Sequence, residues 1–252
     1  MAESISFIKN ALKSCPENEL AGFITAYKDD ERVGVIKLVE QAERRSAAFD
    51  AELKRVEGMR EYENKYSDCE YICGVDEVGR GPLAGPVCAG AVILPKDCLI
   101  PYVNDSKKLT AAKREELSQI IMERAISVGF GSVDNVTIDK VDIRVATFMA
   151  MKQAIEALSV KPDIVLVDGL FTIPDIDIRQ EAIVKGDGKS ISIASASIVA
   201  KVMRDNYMTK LASTYPRYRF DKNKGYGSAE HMEALEIYGL SPVHRKTFIH
   251  LD

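Results

Sequence analysis

Apolar residues recur at helical spacing through the first quarter of the chain, then give way to short continuous apolar runs. Ile5, Ile8 and Leu12 mark one helical face; Leu20, Phe23, Ile24 and Tyr27 mark a second. Cys15-Pro16-Glu17-Asn18 separates those helices, and Lys28-Asp29-Asp30 separates the second from a third. The third helix is expected from about Glu31 to Tyr66, rich in Glu, Arg and Lys, with few large apolar residues in its second half. That pattern describes a helix with most of its surface in solvent. No residue of this segment carries chemistry. A helical appendage that packs or oligomerises fits it, and so does a module that engages substrate or a partner.

From Tyr71 onward the pattern alternates strand with helix. Strands are expected at 71–75, 87–95, 128–136, 162–168 and 180–184, and the apolar run Ile164-Val165-Leu166-Val167 predicts a strand covered on both faces. Thr110 caps a predicted helix reaching about Ser127. A second starts at Thr137 or Asp139, with Val145, Phe148, Met149, Ile155 and Leu158 on its apolar side. Helices are also predicted at 190–212 and at 229–238, the latter stopped by Gly239 with Pro242 beyond it. This alternation predicts an α/β sheet flanked by helices, with a helical extension at residues 1–69 and a helical C-terminal part following the sheet.

Composition narrows the class. The chain has 252 residues, is 46% hydrophobic and carries a net charge of −4, so its total charge is no sign of nucleic acid. The distribution is more telling: residues 185–252 hold 11 Lys+Arg against 7 Asp+Glu, and residues 1–70 hold 11 against 15. A basic C-terminal third suits a polyanionic partner. Cys15, Cys69, Cys73, Cys88 and Cys98 lack CxxC spacing and predict reduced thiols rather than a disulfide framework or zinc site. No signal peptide and no membrane-length apolar run is evident, which predicts a cytoplasmic protein with no membrane partner. A monomer is the expected state.

Acidic residues stand where the predicted strands end: Asp76 with Glu77, Asp168, and Asp187. Each alone could be a turn residue or a helix cap. Together at the strand ends of one sheet, they must bind a cation or take up protons. Oxygen donors without nearby His or Cys select a hard ion, Mg²⁺ or Mn²⁺. The adjoining turn Gly79-Arg80-Gly81 offers backbone N–H groups and a guanidinium to a phosphate. Metal-dependent phosphoryl chemistry is therefore expected. Because neighbours on a strand face opposite ways, the approach of both Asp76 and Glu77 to one site predicts a break or bulge at 76–78.

The run from Gly74 to Val87 (Gly-Val-Asp-Glu-Val-Gly-Arg-Gly-Pro-Leu-Ala-Gly-Pro-Val) resembles the signature of the type 2 ribonucleases H, in particular the bacterial ribonuclease HII family. Further matches follow in order: Asn104-Asp105-Ser106-Lys107-Lys108-Leu109, Val167-Asp168-Gly169, Lys185-Gly186-Asp187, 192–202 with Arg204-Asp205, Lys224-Gly225-Tyr226-Gly227-Ser228 with His231, and Ser241-Pro242-Val243-His244-Arg245. The resemblance spans about Tyr71 to Phe248 and implies a ribonuclease H-like catalytic domain over residues 70–252. It implies a metal site of Asp76, Glu77, Asp168 and Asp187 with Mg²⁺ or Mn²⁺. It implies that Gly79, Arg80 and Gly81 read ribose 2′-hydroxyls through their backbone, and that Tyr226 stacks at an RNA–DNA junction. The implied substrates are RNA–DNA hybrids and DNA with embedded ribonucleotides, cut on the 5′ side of the ribonucleotide to leave 5′-phosphate and 3′-hydroxyl ends.

Lys107, Lys185 and Lys224, with Lys108, Lys189, Lys222 and Arg245, fit phosphate contacts. Asp205 suits an ion pair with Arg204 better than a metal-ligand role, and His231 and His244 suit backbone bonding better than proton transfer. A resolvase- or exonuclease-like metal nuclease is an alternative, countered by the Gly-Arg-Gly and Gly-Tyr-Gly motifs. A catalytically silent hybrid-binding protein is another, countered by the intact acids.

Overall fold

The computed structural model describes residues 3–249, and they pack as two compact units that meet in sequence at Gly58 and Met59. In the first unit, α1 (Ile5–Ser14), α2 (Leu20–Tyr27) and α3 (Val33–Gly58) enclose a core of Ile8, Leu12, Leu20, Phe23, Val35, Leu38, Val39 and Ala42. Ser4 caps α1 by accepting from the Phe7 N–H, and the Arg45 guanidinium on α3 closes its other end by donating to the carbonyls of Leu12 and Cys15. Ile8, Leu12, Leu20 and Phe23 of the stripes read from the sequence form this core, with Ile24 and Tyr27 packed against it, while Ile5 stays exposed. The third helix is shorter than its charge pattern suggested. It ends at Gly58, and a separate turn of helix, α4 (Glu61–Lys65), follows in the second unit. Gly58 is a weak helix former, and beyond it Met59 and Arg60 pair with the backbone of residues 190–191 instead of continuing the helix.

The second unit is built on five strands, β1 (Ile72–Val78), β2 (Val87–Ile93), β3 (Ser127–Val133), β4 (Ile164–Asp168) and β5 (Arg179–Ile183), in the order β3-β2-β1-β4-β5. The β3-β2-β1 half is antiparallel and the β1-β4-β5 half parallel, so the sheet is mixed. Its helices are α5 (Ala111–Arg124), α6 (Asn135–Val141), α7 (Ile143–Glu156), α8 (Ile191–Thr214), α9 (Phe220–Asn223) and α10 (Ala229–Tyr238). Central β4 is buried from Ile164 through Val167, as its unbroken apolar run requires.

Glycines decide how closely the two main helices approach. A Cβ on Gly74 would lie 2.1 Å from the Ser192 carbonyl carbon on α8; one on Gly131 would lie 1.9 Å from the Ala150 carbonyl oxygen on α7. The sheet is thus clamped between α8 and α7 through backbone contact. This close seat explains a difference from the sequence pattern. The buried face of α7 is Ala146, Thr147, Ala150, Met151, Ala154 and Ile155, while Val145 and Met149 are exposed. Small side chains at Ala150 and Ala154 meet the glycines of β3, Ile155 is buried as the pattern predicts, and Phe148 and Leu158 pack partly against the core, so only Val145 and Met149 turn outward. The predicted start at Thr137 or Asp139 also shifts: Asp134 caps α6, and Asp142 at φ +73° breaks the run and caps α7.

Candidate active site

Asp76 lies near the end of β1 on the face covered by α8, two residues after Gly74, and is buried. Glu77 lies on the opposite face, lining a cavity with Thr147, Phe148 and Met151 of α7. Asp168 ends β4. One carboxylate oxygen from each of these three residues lies within 4.8 Å of the others. The expected bulge is absent: β1 pairs regularly with β2 through Asp76–Gly90, Glu77–Ala89 and Val78–Cys88. Convergence comes instead from the other neighbour. The β1–β4 ladder stops at Val75–Val167, one residue short of the acids. Beyond that point no strand separates the two faces, and side chains from both reach round the end of the ladder.

Burial pushes the Asp76 carboxyl well above the usual carboxylate range, and the charges of Glu77 and Asp168 push it further; the Ser197 hydroxyl and the Glu77 N–H, at 2.7 Å, donate to it and partly offset the rise. Asp168 is raised chiefly by burial, opposed by the N–H groups of Gly186 (2.7 Å) and Asp187 that donate to it. Asp187 sits in the turn Gly186–Gly188, raised by burial and then by Asp105 and Asp168. Asp187 is therefore beside the cluster but outside the tight three-residue group. The nearby cations are few: Arg80 meets Glu77 at 3.3 Å with its side chain half exposed, and exposed Lys107 acts on Asp168 and Asp187. Three converging carboxylates with so little compensating charge, offering oxygen donors alone, fit a hard divalent cation.

The turn after β1 is held from inside. Buried Arg245 donates to the carbonyls of Gly79, Arg80 and Gly85, and buried Arg204 to those of Ala84, Pro86 and Lys224. Arg245 is therefore a structural clamp and not a phosphate contact, and Arg204 is not the partner of Asp205, which pairs with Lys201 at 2.7 Å. The five donors of one guanidinium let each arginine serve three carbonyls at once. Tyr226, between Gly225 (φ +87°) and Gly227, is 44% exposed, and its ring is the nearest group to Gly81, 3.8 Å from where a Cβ would stand. Its backbone carbonyl accepts a hydrogen bond from the His231 Nδ1–H at 2.9 Å. His231 and His244 meet at 3.0 Å in the interior, and burial lowers both, His244 to about 4. Both are buried packing and hydrogen-bonding residues, His231 held by the Tyr226 carbonyl and His244 by Ser241.

Lys185, at φ +56°, is exposed beside Asp187, and Lys224 turns its ammonium onto Thr209 Oγ1 and the Asp221 carbonyl. Ser197 and Ser106 lie in two of the matched motifs, but their contact at 3.0 Å behind Asp76 is not readable there; the register of α8 against β1 brings Ser197 to the acid, and Ser106 backs it. Asp105 stands in the matched loop motif 104–109, and its charge beside Asp187 is apparent only in the fold.

Residues 73–251 match the family model for ribonuclease HII, and residues 4–67 that for the ribonuclease HII N-terminal domain. The chain is 53% identical over 245 residues to a ribonuclease HII from Lachnoclostridium phytofermentans, covering 97% of this chain and 96% of the relative. It is 49% identical over 228 residues to one from Bacillus subtilis, covering 90% and 89%. Among solved structures it resembles ribonuclease H2 from Pyrococcus horikoshii, with a TM-score of 0.56 and 27% identity over 70% of this chain and 93% of that one.

Proposed function

Because this chain belongs to the ribonuclease HII family and is a metal-dependent endoribonuclease of it, we propose that Asp76, Glu77, Asp168 and Asp187 hold Mg²⁺ or Mn²⁺ and that the enzyme cuts RNA–DNA hybrids and duplex DNA at embedded ribonucleotides. The observation that carries this reading is the convergence of the Asp76, Glu77 and Asp168 oxygens at the open end of the β1–β4 ladder, a few residues from the Gly79-Arg80-Gly81 turn. When bound, divalent ions supply activation of water for attack and stabilisation of the leaving oxygen. The protein's own groups do the rest.

Asp76, buried and fixed by Ser197 and the Glu77 N–H, sets the floor of the site. Glu77 and Asp168 close its sides, and Asp187 borders it from its turn. Negative charge on the cluster repels the scissile phosphate itself, which would settle against the acids only with cations offsetting that charge, while the flanking turn and lysines hold the rest of the duplex. Arg245 and Arg204 hold the 79–86 carbonyls inward. That orientation leaves the N–H side of Gly79, Arg80 and Gly81 to meet a ribose 2′-hydroxyl, the group that tells RNA from DNA. Tyr226, beside Gly81, offers an exposed ring to the neighbouring sugar or base. Lys107 and Lys185 border the acids with exposed ammonium groups suited to flanking phosphates, and Lys224 reaches them only by releasing Thr209 and Asp221. Cleavage on the 5′ side of the ribonucleotide then leaves a 5′-phosphate and a 3′-hydroxyl.

The test uses duplex DNA with one embedded ribonucleotide in Mg²⁺ or Mn²⁺. Incision 5′ of the ribonucleotide is expected, with Asp76→Asn reduced to background while binding to the duplex persists. An uncut substrate, or an active Asp76→Asn, overturns the assignment.

A further inference from the structure

The turn bearing Asp187 is tied down on both sides by a segment that carries no recognised motif. It runs from Met59 to Tyr66, just ahead of β1. On the far side of the turn, Glu63 Oε1 accepts from the Ser190 hydroxyl at 2.6 Å and from the Ser192 N–H at 3.0 Å. The backbone joins in: the Ile191 N–H donates to the Met59 carbonyl at 3.0 Å, and Arg60 forms a bridge with Ser190. On the near side, Lys65 meets Glu181 of β5 at 2.7 Å, and the Tyr66 hydroxyl donates to the same carboxylate.

Between these anchors the chain has little freedom. The Ser190 N–H donates to the Gly186 carbonyl at 2.8 Å, and the Gly186 N–H donates to Asp168 Oδ1 at 2.7 Å. Glu63, Ser190, Gly186 and Asp168 therefore form one chain of hydrogen bonds, and Asp187 sits in the loop that this chain closes. Glu63 also meets the positive end of α8, where a carboxylate is favoured. Severing the Glu63 link removes the side-chain tie at the Ser190 end of the turn without substituting any candidate ligand.

We propose that Glu63 is a positioning residue for the metal site, acting through Ser190 to fix Asp187 against Asp168; this rests on the proposed role of Asp187 as a ligand. Outer partners of metal ligands commonly contribute tenfold or more to metal affinity. The full-length Glu63→Ala protein should bind Mn²⁺ about tenfold more weakly by calorimetry without substrate, and its cleavage should need a matching increase in Mn²⁺. Glu63→Gln, which keeps an acceptor oxygen and the side-chain volume, should recover most of the loss. Asp163→Ala supplies the comparison: its carboxylate clasps the N–H groups of Glu70 and Tyr71, far along β1 from the turn, so it should lower Tm without moving the Mn²⁺ midpoint. In an Asp187→Asn background, Glu63→Ala should cause no further weakening. Equal Mn²⁺ midpoints for Glu63→Ala and Asp163→Ala, or additive losses with Asp187→Asn, overturn the inference. Loss of Mn²⁺ binding in Asp76→Asn alongside wild-type binding in Glu63→Ala would leave the metal reading standing and remove Glu63 alone.

Discussion

Asp76 is where burial and function conflict most directly. Its carboxyl is buried against Ser197 and beside two other acids, so burial and then its neighbours' charges raise its pKa by disfavouring the ionised form. Asp168 and Asp187 are raised for the same first reason. A folded-state pKa above the unfolded one means that the folded protein holds protons the unfolded chain has released. The stability from this source is complete below the ordinary carboxylate value near 3.8 and is lost as pH rises through the raised values. His231 and His244 act oppositely: their lowered pKa values add stability as pH rises toward 6.5. Comparing wild type with Asp76→Asn removes the histidine contribution, which both share. In chelator at pH 8 the Asn variant should melt at a higher temperature than wild type. The gap should narrow at pH 5, and also when Mg²⁺ or Mn²⁺ is added. Identical melting of the two proteins in chelator at pH 8 would mean that Asp76 is not electrostatically stressed.

Between β1 and α8 the decisive contact is the missing side chain of Gly74. A Cβ there would meet the Ser192 carbonyl carbon at 2.1 Å and the Ile193 nitrogen at 2.3 Å, and backbone cannot swing aside as a side chain can. Gly74→Ala should cost about 3 kcal/mol or more, the upper end for overpacking, and lower Tm by roughly 10 °C. Moving α8 outward also moves Ser197 from Asp76 and Ser192 from Glu63. Calorimetric unfolding measures the first effect, and an unchanged Tm would show that α8 can shift at little cost. The strand itself could be read in the sequence, as could its terminal acids, because acids recur at the ends of several apolar runs and a turn or cap role explains that recurrence poorly. The regular pairing at Asp76–Val78 could not. A period-two pattern describes one strand, and the loss of β4 as a neighbour after Val75 is a property of two.

Across the whole chain, the packing places Met59–Tyr66 with the sheet rather than with the N-terminal helices. A sequence division at residue 69 follows the change from helical to strand pattern; the change of unit at 58–59 follows the contacts. The two give different truncations. Removing residues 1–58 leaves Glu63, Lys65 and Tyr66 on their partners. Removing residues 1–69 strips them, together with Tyr66 and Cys69 from the core of Ile72, Ile164, Leu166, Ile183 and Ile193. The shorter deletion should keep the wild-type Mn²⁺ requirement for cutting. The longer one should raise it about tenfold and lower Tm by several degrees, for two buried side chains of this size contribute about 1.5–3 kcal/mol each. Metal titration and thermal melting of both proteins decide it; equal behaviour would place no function in residues 59–69.

The order of motifs, the acids at strand ends and the alternation of strand with helix are local properties, and each was readable because the physics behind it acts over a few residues. Helical faces bury what repeats at their period, and buried carboxylates need a cation. The roles of Arg204, Arg245, Ser197 and Glu63 were not readable, although all four are ordinary polar residues in plain sight. Their partners lie on other elements, up to 166 residues away for the Arg245 contact with Gly79. A guanidinium written beside a carboxylate in sequence looks like an ion pair; folded, it is surrounded by carbonyls instead. Which polar group meets which is settled only when the sheet, α8 and the segment before β1 are brought together, since hydrogen bonds depend on distance in space and sequence records only distance along the chain.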